Sequence, residues 1–324
     1  MVAAPLLFDV DDLLDQLDCL GNGPREVTVL AGGLTNTNVR VRTSDADVVV
    51  RISSKDSSLL AIDREAEFFN SRAAAEAGAA PAVVEYCPDD HLLVVAYIDG
   101  RTVTAEDLGQ SVSLASVAAV CRLLHEGPRF VGDFDMFEVQ RRYVSTVQER
   151  GYRLPTRYLD FAPQVDRIRE ALDAAPLATV PCNNDLLAAN FIDDGERLWV
   201  IDFEYAGNND PCFELGNIWS ESNLSLDSLC ELVTCYFGRE EPSLVARARL
   251  LGLMSKYGWT LWASIQDATS EMDFDFWEWG MEKYVRAVGE FDGPQFESLL
   301  ETAAMTSDHT AAPVAAPEQS KATT

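Results

Sequence analysis

The alternation of apolar and polar residues changes character near residue 98. Before it, short runs with apolar residues at every second position predict strands at Val27–Leu30, Asn38–Arg42 and Val48–Ile52, with a polar turn at Ser44–Asp47. Asp9–Leu20 reads as a short acidic amphipathic helix, and Ala61–Ala79 as a helix closed by Gly78. Ala82–Tyr86 and His91–Tyr97 are further strands around the turn Pro88-Asp89-Asp90, and Ile98-Asp99-Gly100 is a natural hinge. From there to about Glu301 helical spacing dominates. The exception is a hairpin of Ala189–Ile192 and Leu198–Phe203 about Asp193-Asp194-Gly195. Residues 304–324, rich in Ala, Thr, Pro and Ser, have no apolar period and are predicted to be a disordered tail. The expected fold is α+β and bilobal: a small β-rich lobe (1–97), a larger, mainly helical lobe (98–303), and the tail.

Composition adds one strong constraint. Apolar residues at 47% and charged residues at 24% are ordinary for a globular chain of 324 residues, but a net charge of −28 is not. It argues against nucleic acid and anionic membrane as partners, because both need a basic surface. A small cation would be attracted. Lysine is scarce, at positions 55, 256, 283 and 321 only, and an acidic, lysine-poor surface is also a form of adaptation to high salt. The seven cysteines are scattered, odd in number and without a C-x-x-C pair, which predicts a reducing, cytoplasmic setting. Met1–Leu20 lacks the pattern of a signal peptide, and no apolar run reaches membrane-spanning length.

Candidate chemistry concentrates in Pro181–Asn217. The predicted hairpin brings Asn190 roughly opposite Asp202, with Asp185 in the loop before them. Oxygen ligands converging in this way suit Mg²⁺ completed by substrate phosphates. A phosphate-binding counterpart is offered by Gly32-Gly33-Leu34-Thr35-Asn36-Thr37-Asn38, where glycines and small polar residues let backbone N–H groups approach an anion. An ordinary β-turn is the alternative. Arg51, on an apolar strand, needs an anionic partner. Glu65, early on the next helix, is the expected one, and Glu67 is assigned to the solvated face. Further on, Trp259 and Trp262 share a helix face, Trp277 and Trp279 lie on the next helical segment, and Glu221 follows a predicted turn at Gly216-Asn217. Each tryptophan alone reads as core. Together with a carboxylate they suit a cage for a quaternary ammonium group.

Gly32-Gly33-Leu34-Thr35-Asn36, Asn184-Asp185-Leu186 with Asn190, Ile201-Asp202-Phe203-Glu204-Tyr205 and Gly216-Asn217 together resemble the choline/ethanolamine kinase branch of the aminoglycoside-phosphotransferase-like kinases. The resemblance covers most of the chain and implies a protein-kinase-like fold, ATP, Mg²⁺ and O-phosphorylation of a small amino alcohol. It makes Asp185 the catalytic base, Asn190 and Asp202 metal ligands, Arg51 a phosphate holder with Glu65 as partner, and Glu214 a brace for the catalytic loop. Thr35, Asn36 and Asn38 fall to the nucleotide loop. The Ala96–Asp99 segment, including Tyr97 and Asp99, would present backbone hydrogen bonds to adenine. Trp259, Trp262 and Trp279 fall on the cage positions, Glu221 on the carboxylate, and Glu204 is counted with the acceptor side. One departure is Asn183, where the family pattern H-x-D has His. Asn has both a donor and an acceptor and can replace part of that role. Two alternatives stay open: a same-fold kinase acting on an aminoglycoside or other amine-bearing alcohol, and a non-catalytic nucleotide- or choline-binding protein.

Overall fold

A computed structural model describes residues 10–30, 33–53, 58–110 and 112–305. Gly32 and all but the first two residues of the expected tail therefore lie outside the described residues. In chain order the elements are α1 (Asp11–Leu14), β1 (Glu26–Leu30), β2 (Asn36–Arg42), β3 (Asp47–Ser53), α2 (Arg64–Glu76), β4 (Val83–Cys87), β5 (Leu92–Ala96), β6 (Arg101–Thr102), α3 (Leu114–His125), α4 (Met136–Arg150), α5 (Ala162–Ala174), β7 (Val180–Cys182), β8 (Phe191–Asp193), β9 (Leu198–Val200), β10 (Gly207–Asn209), α6 (Pro211–Glu221), α7 (Leu226–Phe237), α8 (Pro242–Thr269), α9 (Phe276–Phe291) and α10 (Phe296–Ala303).

The first five strands form one antiparallel sheet in the order β1-β2-β3-β5-β4. Strand periodicity decides what each face does. Val48, Val50 and Ile52 of β3 bury against Val39, Val41, Leu92 and Val94, and Leu14, Leu17 and Leu20 join the same apolar cluster. The predicted N-terminal helix is thus split into α1 and a short 3₁₀ turn at Asp18–Leu20, with leucines three apart. Arg51, one residue out of phase, turns to the other side of β3, toward α2.

The second half packs helices around α8, which is 28 residues long. Where α6 meets α8 the two backbones approach so closely that a Cβ on Gly216 would lie 2.1 Å from the Ala248 carbonyl oxygen. Gly252 on α8 is the reciprocal contact, with Gly216 O 2.5 Å from its hypothetical Cβ. Asn217 then donates to Ser255 Oγ at 2.9 Å. Gly216-Asn217 is therefore not the predicted turn but the interior of a buried helix, and its glycine is fixed by helix-to-helix packing. This crossing sets Glu221, at the end of α6, beside the aromatic faces of α8 and α9. Among the described residues no helix is long and apolar enough to cross a membrane.

Candidate active site

The loop between β7 and β8 is held by buried polar groups. Glu214 of α6, fully buried, accepts the backbone N–H groups of Asn183 and Asn184, each at 2.8 Å. Asn184 has a positive φ of 69°, and its amide nitrogen donates to the carbonyls of Cys182, Tyr205 and Gly207. Asn is among the few side chains that tolerate this backbone region, and here the surrounding bonds hold it there. Asn183 donates to the Asp202 carbonyl at 2.7 Å and the Ile201 carbonyl at 3.3 Å, and its Oδ1 accepts the Asp185 N–H at 3.1 Å. One amide therefore ties the loop carrying Asp185 to the strand end carrying Asp202. His125, at the end of α3, is buried, with Nδ1 2.7 Å from Tyr236 Oη and Nε2 3.6 Å from Glu214. It stands behind the loop as a structural residue.

The hairpin register differs from expectation by one residue. Phe191 pairs with Val200, and Ile201 N–H donates to Asn190 O at 3.0 Å, so Asn190 faces Ile201 and Asp202 follows it. Two residues beyond β9, Asp202 has a φ of 66°, which turns the chain there. Asn190 Nδ2 donates to the Asp185 carbonyl at 2.7 Å, which turns its Oδ1 into the acceptor left for a ligand. That oxygen and the partly exposed Asp202 carboxylate are hard-oxygen donors, the type that suits a divalent cation such as Mg²⁺.

On the donor side Arg51 is the centre. Its guanidinium reaches Glu67 at 2.8 Å, Asp202 at 2.5 Å and Glu204 at 3.5 Å. The partner is Glu67 and not Glu65. Asp63 caps α2 by accepting the N–H groups of Glu65 and Ala66, and helical spacing then places Glu67, Asn70, Ser71 and Ala74 on the buried face. Glu65 lies on the exposed side. Arg64, unnoticed in the sequence, braces the same group from Glu67 (2.7 Å), Glu204 (3.2 Å) and Asn36 Oδ1 (3.1 Å). Glu204, expected with the acceptor, instead lies under the glycine loop, accepting from Thr35 Oγ1 at 3.0 Å and Asn36 Nδ2 at 2.9 Å. Burial, with the Asp202 charge, raises its pKa, opposed mainly by Arg51. Gly33 is required in this turn, since a Cβ there would lie 2.3 Å from Asn36 O. Asn38 sits on β2 opposite Arg51.

The adenine expectation needs correction at Tyr97. The N–H groups of Ala96 and Tyr97 already donate to Ala82 O and Asp47 O, and Arg40 stacks on the Tyr97 ring at 3.4 Å. Tyr97 therefore has only its backbone carbonyl left to offer, and Asp99 is exposed beyond it.

On the acceptor side the tryptophans do converge, around Tyr205 of the Ile201–Tyr205 motif. Trp262 Nε1 donates to Tyr205 Oη at 2.9 Å, and the Trp259 ring meets Tyr205 edge-on at 4.9 Å between centroids. Trp279 meets Trp262 at 5.6 Å and 62°. Trp277 is apart, stacked under Arg153 at 3.8 Å. Glu221 is paired with Lys283, whose Nζ also lies 4.0 Å from the Trp279 ring centre. Asp185 links the two sides. Burial, followed by the charges of Glu221, Asp202 and Glu204, pushes its pKa well above the usual carboxylate range, and Lys283 pulls it back.

These features define a phosphoryl-transfer enzyme of protein-kinase-like fold. The profile of the phosphotransferase enzyme family (APH) matches residues 26–250, and the chain belongs to that family. It is a small-molecule kinase by class. A crystal structure of a choline/ethanolamine kinase family protein from Mesorhizobium loti superposes with a TM-score of 0.78 at 31% identity, covering 91% of this chain and 99% of that one. Protein LicA from Haemophilus influenzae is 27% identical over 256 residues, covering 76% of this chain and 75% of LicA. Mouse ethanolamine kinase 2 is 26% identical over 267 residues, covering 73% of this chain and 68% of that protein.

Proposed function

We propose that this enzyme transfers the terminal phosphoryl group of ATP to the hydroxyl of a small amino alcohol, choline or ethanolamine, in the cytoplasm. The observation that carries this reading is that Asn183 bonds both the Asp185 N–H and the Asp202 carbonyl, while Asn184 bonds the carbonyl of Tyr205, on which Trp259 and Trp262 converge. The names borne by its relatives support the same acceptor class. The seven cysteines are all free, as a reducing compartment requires.

In this account residues 1–97 and 98–303 act as two lobes about Ile98-Asp99-Gly100, with the nucleotide between them. Asp185 accepts the acceptor hydroxyl's proton as the oxygen attacks the terminal phosphorus and the bond to the ADP oxygen breaks. The products are ADP, a phosphate monoester and a proton. Asn190 and Asp202 would hold Mg²⁺, which when bound neutralises phosphate charge and orients the phosphates. Arg51 contributes a permanent positive charge beside Asp202, in reach of the phosphates. Tyr205, Trp259, Trp262 and Trp279 seat the ammonium head, with Glu221 as its counter-charge. Asn183 favours the catalytic reading over a binding-only one, because its amide makes both connections between Asp185 and Asp202. An ADP-release assay with choline, ethanolamine and aminoglycosides tests the proposal. Turnover with the first two supports it. Turnover with aminoglycosides alone overturns the acceptor, and nucleotide binding without turnover of any amine overturns the activity.

A further inference from the structure

Two of the four lysines of this lysine-poor chain are buried close to the tryptophans. Lys256 Nζ lies 4.3 Å from the Trp219 ring centre. Lys283 is the more telling of the two. It sits four residues after Trp279 on α9, so both lie on one helix face. Its Nζ rests on the Trp279 ring and donates to Glu221 Oε2, with the two charged side chains 7% and 3% exposed. The other carboxylate oxygen, Glu221 Oε1, is buried without a hydrogen-bond partner, as is Trp259 Nε1. The protein's own ammonium thus makes the two contacts, an aromatic face and a carboxylate, that a cationic acceptor needs.

We propose that Lys283 is an internal competitor for the acceptor cage, so that binding an amino alcohol exchanges one ammonium for another at Glu221 and Trp279. This rests on the acceptor reading above and goes beyond it, since it makes Lys283 the residue that sets acceptor affinity. The physical reason is charge. One buried carboxylate compensates one cation well, whereas two cations beside it repel each other in a region of low dielectric. Lys283 must therefore give up Glu221 when a charged head arrives. A single lysine suits such an exchange, because it is held by one carboxylate and one ring.

The test is direct binding of choline chloride by titration calorimetry, without nucleotide, to the parent, K283M and K283R. Methionine keeps the length and aromatic contact of the lysine and removes its charge. K283M is expected to bind choline at least about fivefold more tightly, the scale of one desolvated cation–π contact. K283R should stay near the parent, and the uncharged carbon isostere of choline should gain nothing from K283M. Choline should also raise the melting temperature of K283M by more than that of the parent, and E221Q/K283M should lose the gain. Equal or weaker choline binding by folded K283M, with the parent binding normally, overturns this proposal alone and makes Lys283 a positioning residue for Glu221. If K283M does not fold, K283Q takes its place under the same criterion. Failure of the parent and every variant to bind choline or ethanolamine overturns the acceptor reading, and this proposal with it.

Discussion

The donor and acceptor sides solve the same electrostatic problem differently. Each holds carboxylates that a ligand cation would need, and each pairs them with a cation of its own. On the donor side Arg51 and Arg64 share Glu67, Asp202 and Glu204, and the glycine-loop residues Thr35 and Asn36 add neutral donors. On the acceptor side one lysine serves one carboxylate and one ring. The guanidinium spreads its charge over a planar fork that meets several acceptors and does not deprotonate. The ammonium is a compact charge that can be exchanged. The donor cluster is therefore a permanent frame, and the acceptor pair is a contact that can open.

This contrast can be broken most severely at Glu67. Glu67→Ala should cost about 3 kcal/mol, because the buried Arg51 and the partly buried Arg64 lose a shared partner. Glu65→Ala should stay within about 0.5 kcal/mol, as for an exposed helix position. Urea denaturation of both variants measures this, and a larger loss for Glu65→Ala than for Glu67→Ala would return the pairing to Glu65.

The other buried lysine, Lys256, predicts a pH dependence. Burial lowers the pKa of Lys256 from 10.5 to about 8, helped by the charge of Arg286. Between these values the unfolded chain binds a proton that the folded protein has released, so stability conferred through this group rises with pH across that window. Relative to Lys256→Met, the parent should gain on the order of 3 kcal/mol between about pH 7 and about pH 11. A constant difference in denaturation midpoint would show that Lys256 titrates normally. A smaller effect is expected at the seam between the two sides. Asn183→Ala removes two donor contacts and one acceptor contact. It should cost about 1–2 kcal/mol in stability or in turnover, and Asn183→His should recover part of it. Unfolding and steady-state assays on both variants would reveal an Asn183 that is idle.

Much of this was legible in the sequence, and the errors share a cause. The strands of the first sheet are legible within a residue or two, helped by the regular alternation of β2, and the kinase-like α+β fold follows from the motifs, whereas the short strands β6, β7 and β10 carry no such pattern. What failed were choices that need a helix phase or a register. Glu65 and Glu67 differ only in phase, and the buried spacing of Asn70, Ser71 and Ala74 was the signal that would have chosen Glu67. Gly216-Asn217 looked like a turn because a glycine needed for helix packing has the same letter as a glycine needed for a bend. Tyr97 lost its donor to Asp47, a pairing across the sheet that no local pattern announces. Lys283 was missed although W-x-x-x-K on a helix is a readable spacing, since scarce lysines were counted and not placed. The hub at Asn184 and the brace of Arg64 likewise depend on what surrounds them.

The central claim is that Asp185 joins a phosphate donor to a caged amino alcohol. Its most direct test is the yield of phosphorylated amine, measured against ADP, when the parent and Asp185→Ala are given Mg-ATP with choline or ethanolamine. The parent should form ADP and phosphorylated amine one for one. Asp185→Ala should lose about a thousandfold in rate while still binding choline. ADP released without phosphorylated amine, or a variant that turns over like the parent, would contradict the account.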